Sequence, residues 1–289
     1  MPRQSLAFIA ACSLLIVPLI ARADGDGGAI RTTSAAYGED MLLQSVDVYA
    51  PVPSRGEPLI VFVHGGGWMQ GDKSQYAPLG RAFARCGVAF AALNYRLAPQ
   101  VTVSQQAADI AEAVRWLVDS ADGQGYASDR IFLMGHSAGA ELAAFTATSP
   151  SILGSAHLSK QNIAGVIAVD GTAYNPTLDA LEAGRLADLQ LDEFVFGTDV
   201  ALWKRYDIGR NLAGDEPPFL VVHGQHDSIV PAAQPRLLVD ELRAAGDRVA
   251  YLQPDRDHMT VLENMMVLPD DPLRVAITRF VSTGSLQSL

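Results

Sequence analysis

Short apolar runs alternate with segments of helical periodicity along most of this chain, and that alternation constrains the fold more than any other feature. Seven runs are predicted to be β-strands, at residues 45–49, 59–63, 89–94, 130–134, 165–169, 219–222 and 249–252. Predicted helices lie between and after them, at residues 76–86, 104–120, 138–148, 234–245 and 272–283. Strands that alternate with helices form βαβ units. The sequence therefore predicts an α/β fold with a mainly parallel central sheet and helices on both faces.

The first 23 residues form a separate segment with the pattern of a secretory signal peptide. Arg3 gives it a positive start, residues 6–20 are almost wholly apolar, and Ala21-Arg22-Ala23 matches the small-residue pattern that precedes a cleavage site. The apolar run is shorter than the ~20 residues that cross a bilayer. A lipoprotein signal ending at Cys12 would divide that run. We expect cleavage before Asp24, export to the periplasm or the medium, and a single domain over residues 24–289 without a stable membrane anchor.

Charge and cysteine content narrow the classes of partner. The formal net charge is −11 at pH 7, and loss of the two leader arginines would make it more negative. An acidic surface disfavours nucleic acid and anionic membranes as partners. Once Cys12 leaves with the leader, Cys86 has no partner for an internal disulfide. The sequence gives no indication of the oligomeric state.

A G-x-S-x-G motif, Gly135-His136-Ser137-Ala138-Gly139, follows the predicted strand at 130–134 and opens the predicted helix at 138–148. Strand before and helix after are the context that a nucleophile elbow requires. The sharp turn holds the Ser137 hydroxyl out from the chain, and the glycines keep side chains away from a crowded backbone. The start of the helix directs N–H groups and a positive dipole end toward a developing oxyanion. Ser137 is therefore the predicted nucleophile.

A second motif, His64-Gly65-Gly66-Gly67-Trp68, directly follows the predicted strand at 59–63. Three consecutive glycines allow the backbone to approach a ligand closely, as an oxyanion hole requires. The alternative is a flexible turn. A triple glycine at the carboxyl end of a strand favours the functional interpretation, because a glycine-rich oxyanion loop accompanies G-x-S-x-G in lipases and esterases.

The predicted general base follows by elimination, because the fold requires the chain order serine, acid, histidine. The chain has six histidines: His64, His136, His157, His223, His226 and His258. The first two precede Ser137, the third leaves little chain for the acid, and the next two compete with the acid's own position. His258, in the loop after the strand at 249–252, meets every requirement.

Two aspartates compete for the role of the acid. Asp227 follows the strand at 219–222 and Asp170 ends the preceding one; position in the triad order favours Asp227, which would hold the histidine tautomer and stabilise the imidazolium. His223-x-x-His226-Asp227 also groups residues of ligand type. No further cluster with metal-ligand spacing accompanies it and H-E-x-x-H is absent, so we expect neither a metal nor an organic cofactor.

Residues 171–217 interrupt the alternation, since they contain no predicted strand and are too long for an ordinary connection. Helices are predicted at 179–190 and 194–206, and aromatic residues are frequent. Two interpretations stay open. The segment is either a lid, in which Trp203 and Tyr206 contact the alcohol part of a substrate, or a helical excursion that buries its own aromatics. Trp68, beside the triple glycine, is a third predicted substrate contact.

The chain resembles the α/β-hydrolases of the hormone-sensitive-lipase and esterase type from about residue 46 to its end. The two motifs above carry this resemblance together with Asp47-Val48-Tyr49-Ala50-Pro51, Gly71-Asp72-Lys73, Asn94-Tyr95-Arg96-Leu97-Ala98-Pro99 and His223-Gly224-Gln225-His226-Asp227. The Gly-Asp-Lys and Gly-His-Ser-Ala-Gly segments are also similar to the feruloyl-esterase-like, isoprenylcysteine-methylesterase and arylformamidase branches. The resemblance implies that the oxyanion donors are the backbone N–H groups of Gly66, Gly67 and Ala138.

The reaction expected from the residues and the resemblance is hydrolysis of small-molecule carboxylic esters through an acyl-enzyme on Ser137. An arylformamidase with the same triad, a peptidase and a non-catalytic binding module of the same fold are the alternatives. The chain departs from the esterase pattern in two places. Glu141 stands where many such esterases have Asn or His. No long N-terminal cap precedes the first strands, and this second departure predicts an open pocket and a preference for short acyl chains.

Overall fold

The strands form one sheet that continues from one edge of the domain to the other. The computed structural model describes residues 17–19, 28–178 and 193–289. Its nine strands are ordered β1-β2-β3-β5-β4-β6-β7-β8-β9 across the sheet. Their bounds are β1 Val17–Leu19, β2 Ala29–Ala36, β3 Ser45–Val52, β4 Glu57–Val63, β5 Ala89–Leu93, β6 Tyr126–His136, β7 Gly165–Val169, β8 Phe219–Val222 and β9 Val249–Leu252.

Strand direction divides the sheet into two parts. The strands from β5 across β4 to β9 are all parallel, whereas β3 is antiparallel to its neighbours β2 and β5. The register aligns Val63 with Gly135, His136 with Val169, and Val169 with Val222. The carboxyl ends of four adjacent strands therefore meet at one edge, so the loops that follow them are brought together.

Helices cover both faces of the sheet. Within the described ranges they are α1 Ala77–Arg85, α2 Val103–Asp119, α3 Ala138–Thr148, α4 Pro150–Ser155, α5 Val200–Trp203, α6 Ala233–Ala245, α7 Thr260–Val267 and α8 Pro272–Thr283. Helix α2 begins with a capping box between Thr102 and Gln105. Helix α6 ends at Gly246, whose φ of 88° is the left-handed conformation that glycine adopts at a helix end.

The alternation of β4 shows how the two layers are built. Leu59, Val61 and Val63 lie in the core with the apolar face of α2, whereas Ile60 and Phe62 lie in the core beneath α1 and α8. Successive side chains of a strand point to opposite faces. All of these β4 residues are buried, so the strand is apolar after Glu57, as expected in a sheet covered on both sides.

These elements confirm the predicted fold class and all seven predicted strands. Strand β2 was not predicted, because its residues Ala-Ile-Arg-Thr-Thr-Ser-Ala-Ala form no apolar run and are mostly half-buried. Strand β1 pairs with β2 and falls in the segment with the signal-peptide pattern; export stays a prediction. Helices α4 and α7 had no separate prediction.

The insertion between β7 and β8 differs from its prediction. The continuous helix expected at 194–206 is divided into a helical turn at 193–196 and α5. Gly197 lies between them with a φ of 90°, a conformation that ends a right-handed helix. The helix predicted at 179–190 lies outside the described residues. No described helix is both long enough and apolar enough to span a membrane.

Candidate active site

Ser137 occupies a strained turn between β6 and α3. Its φ of 56° and ψ of −128° lie outside the regions that an L-residue ordinarily adopts. A Cβ at Gly135 would lie 2.0 Å from the carbonyl oxygen of Gly139, and a Cβ at Gly139 would lie 2.2 Å from that of Val63. Side chains at either position would force the turn open. The glycines of the motif are therefore required by the close approach of the backbone.

The triple-glycine loop after β4 passes beside this turn. A Cβ at Gly65 would lie 3.0 Å from Ser137 Cβ. Gly66 and Gly67 have φ values of 113° and 58°, and the carbonyl oxygen of Gly66 accepts hydrogen bonds from Met69 and Gln70. The loop is thus a tight turn built from left-handed residues, which glycine adopts at little cost.

Helix α3 begins at Ala138, whose backbone N–H is the other donor that the resemblance implies. The first N–H groups of a helix have no carbonyl partner within it. The N–H of Ser137 donates to Val169 on the neighbouring strand at 2.9 Å, so it is not available to a ligand. The next N–H along the chain belongs to Ala138, the first residue of α3.

Asp227 and His258 meet at the ends of β8 and β9. His258 Nδ1 lies 2.8 Å from Asp227 Oδ2, and Asp227 Oδ1 accepts from the backbone N–H groups of Ile229 and Val230. Burial acts to raise the pKa of Asp227, but the hydrogen bonds from His258, Val230 and Ile229 outweigh it and hold that pKa below its usual value. The ionised carboxylate thereby fixes the tautomer with hydrogen on Nδ1, leaving Nε2 of His258 free to accept a proton.

His136, the residue before Ser137, holds the His258 loop against the elbow. Its Nε2 lies 2.9 Å from the carbonyl oxygen of His258, and the two rings are 4.6 Å apart. Burial, followed by the proximity of His258, lowers the pKa of His136 to about 3, so this ring is neutral and donates through Nε2. Ser137 Oγ forms no hydrogen bond among the described residues, and such bonds often tighten only when substrate binds.

Asp170 lies behind the predicted acid. It is fully buried at the end of β7, and its Oδ1 accepts from the N–H of Gly224 at 2.7 Å and lies 3.2 Å from His223 Nδ1. Burial raises the pKa of Asp170. Asp227, and not Asp170, contacts Nδ1 of His258, which is the assignment expected from the chain order.

Two groups of metal-ligand type occur in the described part of the chain. They are His136, Asp170 and His258, and Asp170, His223 and Asp227. His226, which the sequence pattern had grouped with His223, belongs to neither; its Nε2 contacts Asp255 at 2.5 Å. Hydrogen bonds within the protein involve His136 Nε2, both carboxylate oxygens of Asp227 and His258 Nδ1. Asp170 Oδ2 and His223 Nδ1 have no hydrogen-bond partner among the described residues.

The other motif residues support the loops. Asn94 Oδ1 accepts from the N–H of Lys73 at 2.7 Å, and Asn94 Nδ2 donates to Asp72 at 2.9 Å. Tyr95 OH donates to the carbonyl oxygen of His64 at 2.8 Å. These contacts tie the segment after β5 to the segment after β4, which fixes the base of the glycine loop.

The three predicted substrate contacts are buried in the core. Trp203 is 0% exposed and Tyr206 is 4% exposed, and both rings pack against Phe196. Trp203 Nε1 donates to the carbonyl oxygen of Gly197, and Trp68 Nε1 donates to Glu141 Oε2. These placements favour the second interpretation for Phe196, Trp203 and Tyr206, which the insertion buries, whereas Phe194 is 66% exposed.

Comparison with known sequences supplies the family. The BD-FAE family matches residues 46–242, which is more than half of the chain. The chain belongs to this family. Kynurenine formamidase of Drosophila melanogaster is 30% identical over 242 residues, covering 82% of this chain and 78% of that protein. Esterase LipC of Mycobacterium tuberculosis is 29% identical over 232 residues, covering 75% of this chain and 56% of that protein.

Isoprenylcysteine methylesterases resemble the chain as well. A probable isoprenylcysteine alpha-carbonyl methylesterase of Oryza sativa subsp. japonica is 28% identical over 256 residues, which is 83% of this chain and 58% of the relative. The chain therefore spans a little over half the length of this relative and of esterase LipC.

Solved structures agree on the fold. Esterase B from Lactobacillus rhamnosis has a TM-score of 0.76 at 25% identity and covers 90% of this chain and 86% of its own. A truncated carbohydrate esterase from gut microbiota has a TM-score of 0.73 at 18% identity, and the match covers 92% of this chain and 99% of that one. The resemblance to α/β-hydrolases of the esterase type, first indicated by the motifs, is confirmed.

Proposed function

We propose that this chain is a carboxylic-ester hydrolase that forms an acyl-enzyme on Ser137. The observation that carries the proposal is the contact between Asp227 and His258, in a loop that His136 holds beside the strained Ser137 turn. A serine hydroxyl, a carboxylate and an oriented imidazole, in this chain order, are the components of a serine-hydrolase triad.

The chemistry has two half-reactions. His258 Nε2 takes the proton of the Ser137 hydroxyl while its oxygen attacks the ester carbonyl carbon. The resulting oxyanion accepts hydrogen bonds from the N–H groups of Gly66, Gly67 and Ala138. As the carbon–oxygen bond to the alcohol breaks, His258 returns the proton to the leaving alcohol. Water then attacks the acyl-enzyme with the same base, releasing the carboxylic acid and restoring the Ser137 hydroxyl.

Short-chain esters are the proposed substrates, and the exposed rim around the triad supports this. Ile229, two residues after Asp227, is 61% exposed, and Met259, next to His258, is 54% exposed. Met69, after the glycine loop, is also exposed. An open rim removes little of a long acyl chain from water, so each added methylene contributes little affinity. We expect the highest kcat/KM at about two to four acyl carbons.

A formamidase is the second candidate, because the Drosophila kynurenine formamidase covers most of this chain at 30% identity. The same triad would cleave an aryl N-formyl amide. We would measure kcat/KM for 4-nitrophenyl esters from acetyl to dodecanoyl and for N-formylkynurenine. Ester turnover that peaks at short chains supports the proposal. Faster formamide turnover would favour the second candidate, and binding without turnover of either class would favour a non-catalytic module.

The proposed location is the periplasm or the medium. The support is the positive start, the apolar run and the Ala21-Arg22-Ala23 pattern of the leader. N-terminal sequencing of protein isolated from cell fractions tests this. We expect Asp24 at the N-terminus of exported protein; a cytosolic protein that retains Met1 would contradict export.

A further inference from the structure

A buried hydrogen bond connects the two backbone segments from which the proposed oxyanion hole is built. Trp68 directly follows the triple glycine, and its indole Nε1 donates to Glu141 Oε2 at 3.0 Å. Glu141 lies one turn along α3 from Ser137, whose carbonyl oxygen accepts its N–H. The bond therefore joins the segment that contains Gly66 and Gly67 to the helix that begins at Ala138.

Trp68 has a backbone conformation that its contacts must maintain. Its φ of 61° is in the left-handed region, which is strained for a residue other than glycine. Its carbonyl oxygen accepts from the N–H of Ala98 and from Gln106 Nε2, and its ring packs edge-on against Phe196 at 5.3 Å. The bond to Glu141 connects the indole to α3. Trp68 is therefore held through both its backbone carbonyl and its side chain.

Stability alone does not explain a carboxyl group at position 141. Glu141 is fully buried, and Oε1 has no hydrogen-bond partner among the described residues. Burial raises the pKa of Glu141 to about 8, and the Trp68 bond only partly opposes that effect. An apolar side chain of similar volume would avoid this cost. The cost of burying the Glu141 carboxyl is explained if its hydrogen bond to Trp68 positions the two segments that it joins.

We propose that Glu141 is a positioning residue that sets, through the Trp68 indole, the spacing between the glycine loop and the start of α3. The proposal rests on the proposed function, since it concerns the donors to the oxyanion. Donors displaced by a few tenths of an ångström bind the ground-state carbonyl almost as before and bind the oxyanion less well. Loss of the bond should therefore lower kcat and leave KM nearly unchanged.

The test uses E141L, E141Q and W68F, with S137A as the reference for Ser137-dependent turnover. For a short-chain ester, E141L and W68F should each lower kcat by about tenfold to a hundredfold, below the full loss of one oxyanion donor, with KM within about twofold. E141Q should keep kcat within about threefold, because its amide oxygen still accepts from the indole. The double variant E141L/W68F should be no worse than either single variant, because both remove the same bond.

A tetrahedral inhibitor gives an independent readout. A trifluoromethyl ketone of the same acyl length forms an oxyanion on Ser137, so its inhibition constant should rise in E141L and W68F in proportion to the fall in kcat. Thermal unfolding of each variant shows whether the fold is retained. If E141L does not fold, the comparison of W68F with E141Q tests the same expectation: W68F should lower kcat and E141Q should not.

Three outcomes would overturn the inference. They are an unchanged kcat in folded E141L or W68F, an E141Q variant as slow as E141L, or a lower kcat without weaker inhibitor binding. In each of these cases the proposed function would still be supported if the wild-type protein turns over the ester and S137A does not. A wild-type protein without Ser137-dependent turnover would contradict both.

Discussion

The loops that carry the proposed triad (the triad loops) and the insertion after β7 leave the same edge of the sheet, yet they are built differently. The triad loops are short and bonded to one another, through Asp227 to His258 and His136 to the His258 carbonyl. The insertion packs its aromatics together, with Tyr206 against Phe145 of α3. The proposed catalytic side chains are thus positioned by strand ends and hydrogen bonds, whereas Phe196, Trp203 and Tyr206 of the insertion contribute apolar burial. Changes in the first region should affect rate, and changes in the second should affect stability.

The largest expected effect is that of S137A, which removes the nucleophile and leaves the triad loops otherwise intact. Turnover of a short-chain ester should fall by about 10⁶ in kcat. Circular dichroism and thermal unfolding should match those of the wild type. A folded S137A protein with near-normal rates would show that the triad region does not perform the chemistry.

The two aspartates divide the triad region further. D227N should lower kcat by about 10⁴, because the His258 tautomer and the imidazolium lose their carboxylate. D170N should have a much smaller effect, since Asp170 contacts Gly224 and His223. Steady-state kinetics of both variants measure the ranking. The reverse ranking would transfer the role of the acid to Asp170.

The insertion is tested by W203A, with W203F as its matched control. Removing a fully buried indole should lower the free energy of unfolding by about 3–5 kcal/mol, and W203F should lower it by less. Denaturant unfolding measures both. The kcat of the folded W203A fraction should stay within about threefold of wild type, because the contacts described for Trp203 are with Phe196 and Gly197 of the insertion itself. A large change in KM at unchanged stability would instead place Trp203 at the substrate.

The smallest effect concerns pH and stability. The folded-state pKa of Glu141 is raised to about 8, so between its ordinary value and that pH the folded chain holds a proton that the unfolded chain has released. Stability from this group is therefore complete at low pH and is lost as pH rises through that window. E141Q should lose less stability over the same range, because its side chain has no carboxyl group to titrate. Equal slopes in chemical denaturation would mean that Glu141 is already ionised when folded.

Strand cores and chain order were accessible to sequence reasoning because they depend on local pattern. All seven predicted strands are present, and the roles of Ser137, Asp227 and His258, which stay predictions, were assigned from their positions relative to those strands. Strand β2 was missed because its polar residues show no apolar run. The split at Gly197 was missed because helical periodicity continues across it.

Contacts that join distant segments were not accessible. His136 and His258 are 122 residues apart, and Trp68 and Glu141 are 73 apart. No pattern in the sequence specifies which tryptophan meets which carboxylate, since that depends on how α3 packs beside the loop after β4. Glu141 did stand out as a departure from the esterase pattern, but its bond to Trp68 required the structure. Likewise, burial of Trp203 and Tyr206 follows from the packing of the insertion on α3.

Covalent trapping tests the central claim most directly. A fluorophosphonate with a short alkyl chain should label the wild-type protein once, and peptide mass spectrometry should place the phosphonyl group on Ser137 Oγ. S137A should stay unlabelled under the same conditions, and D227N should label far more slowly because its base is poorly oriented. An adduct on another residue, or equal labelling of S137A, would contradict the assignment of Ser137 as the nucleophile.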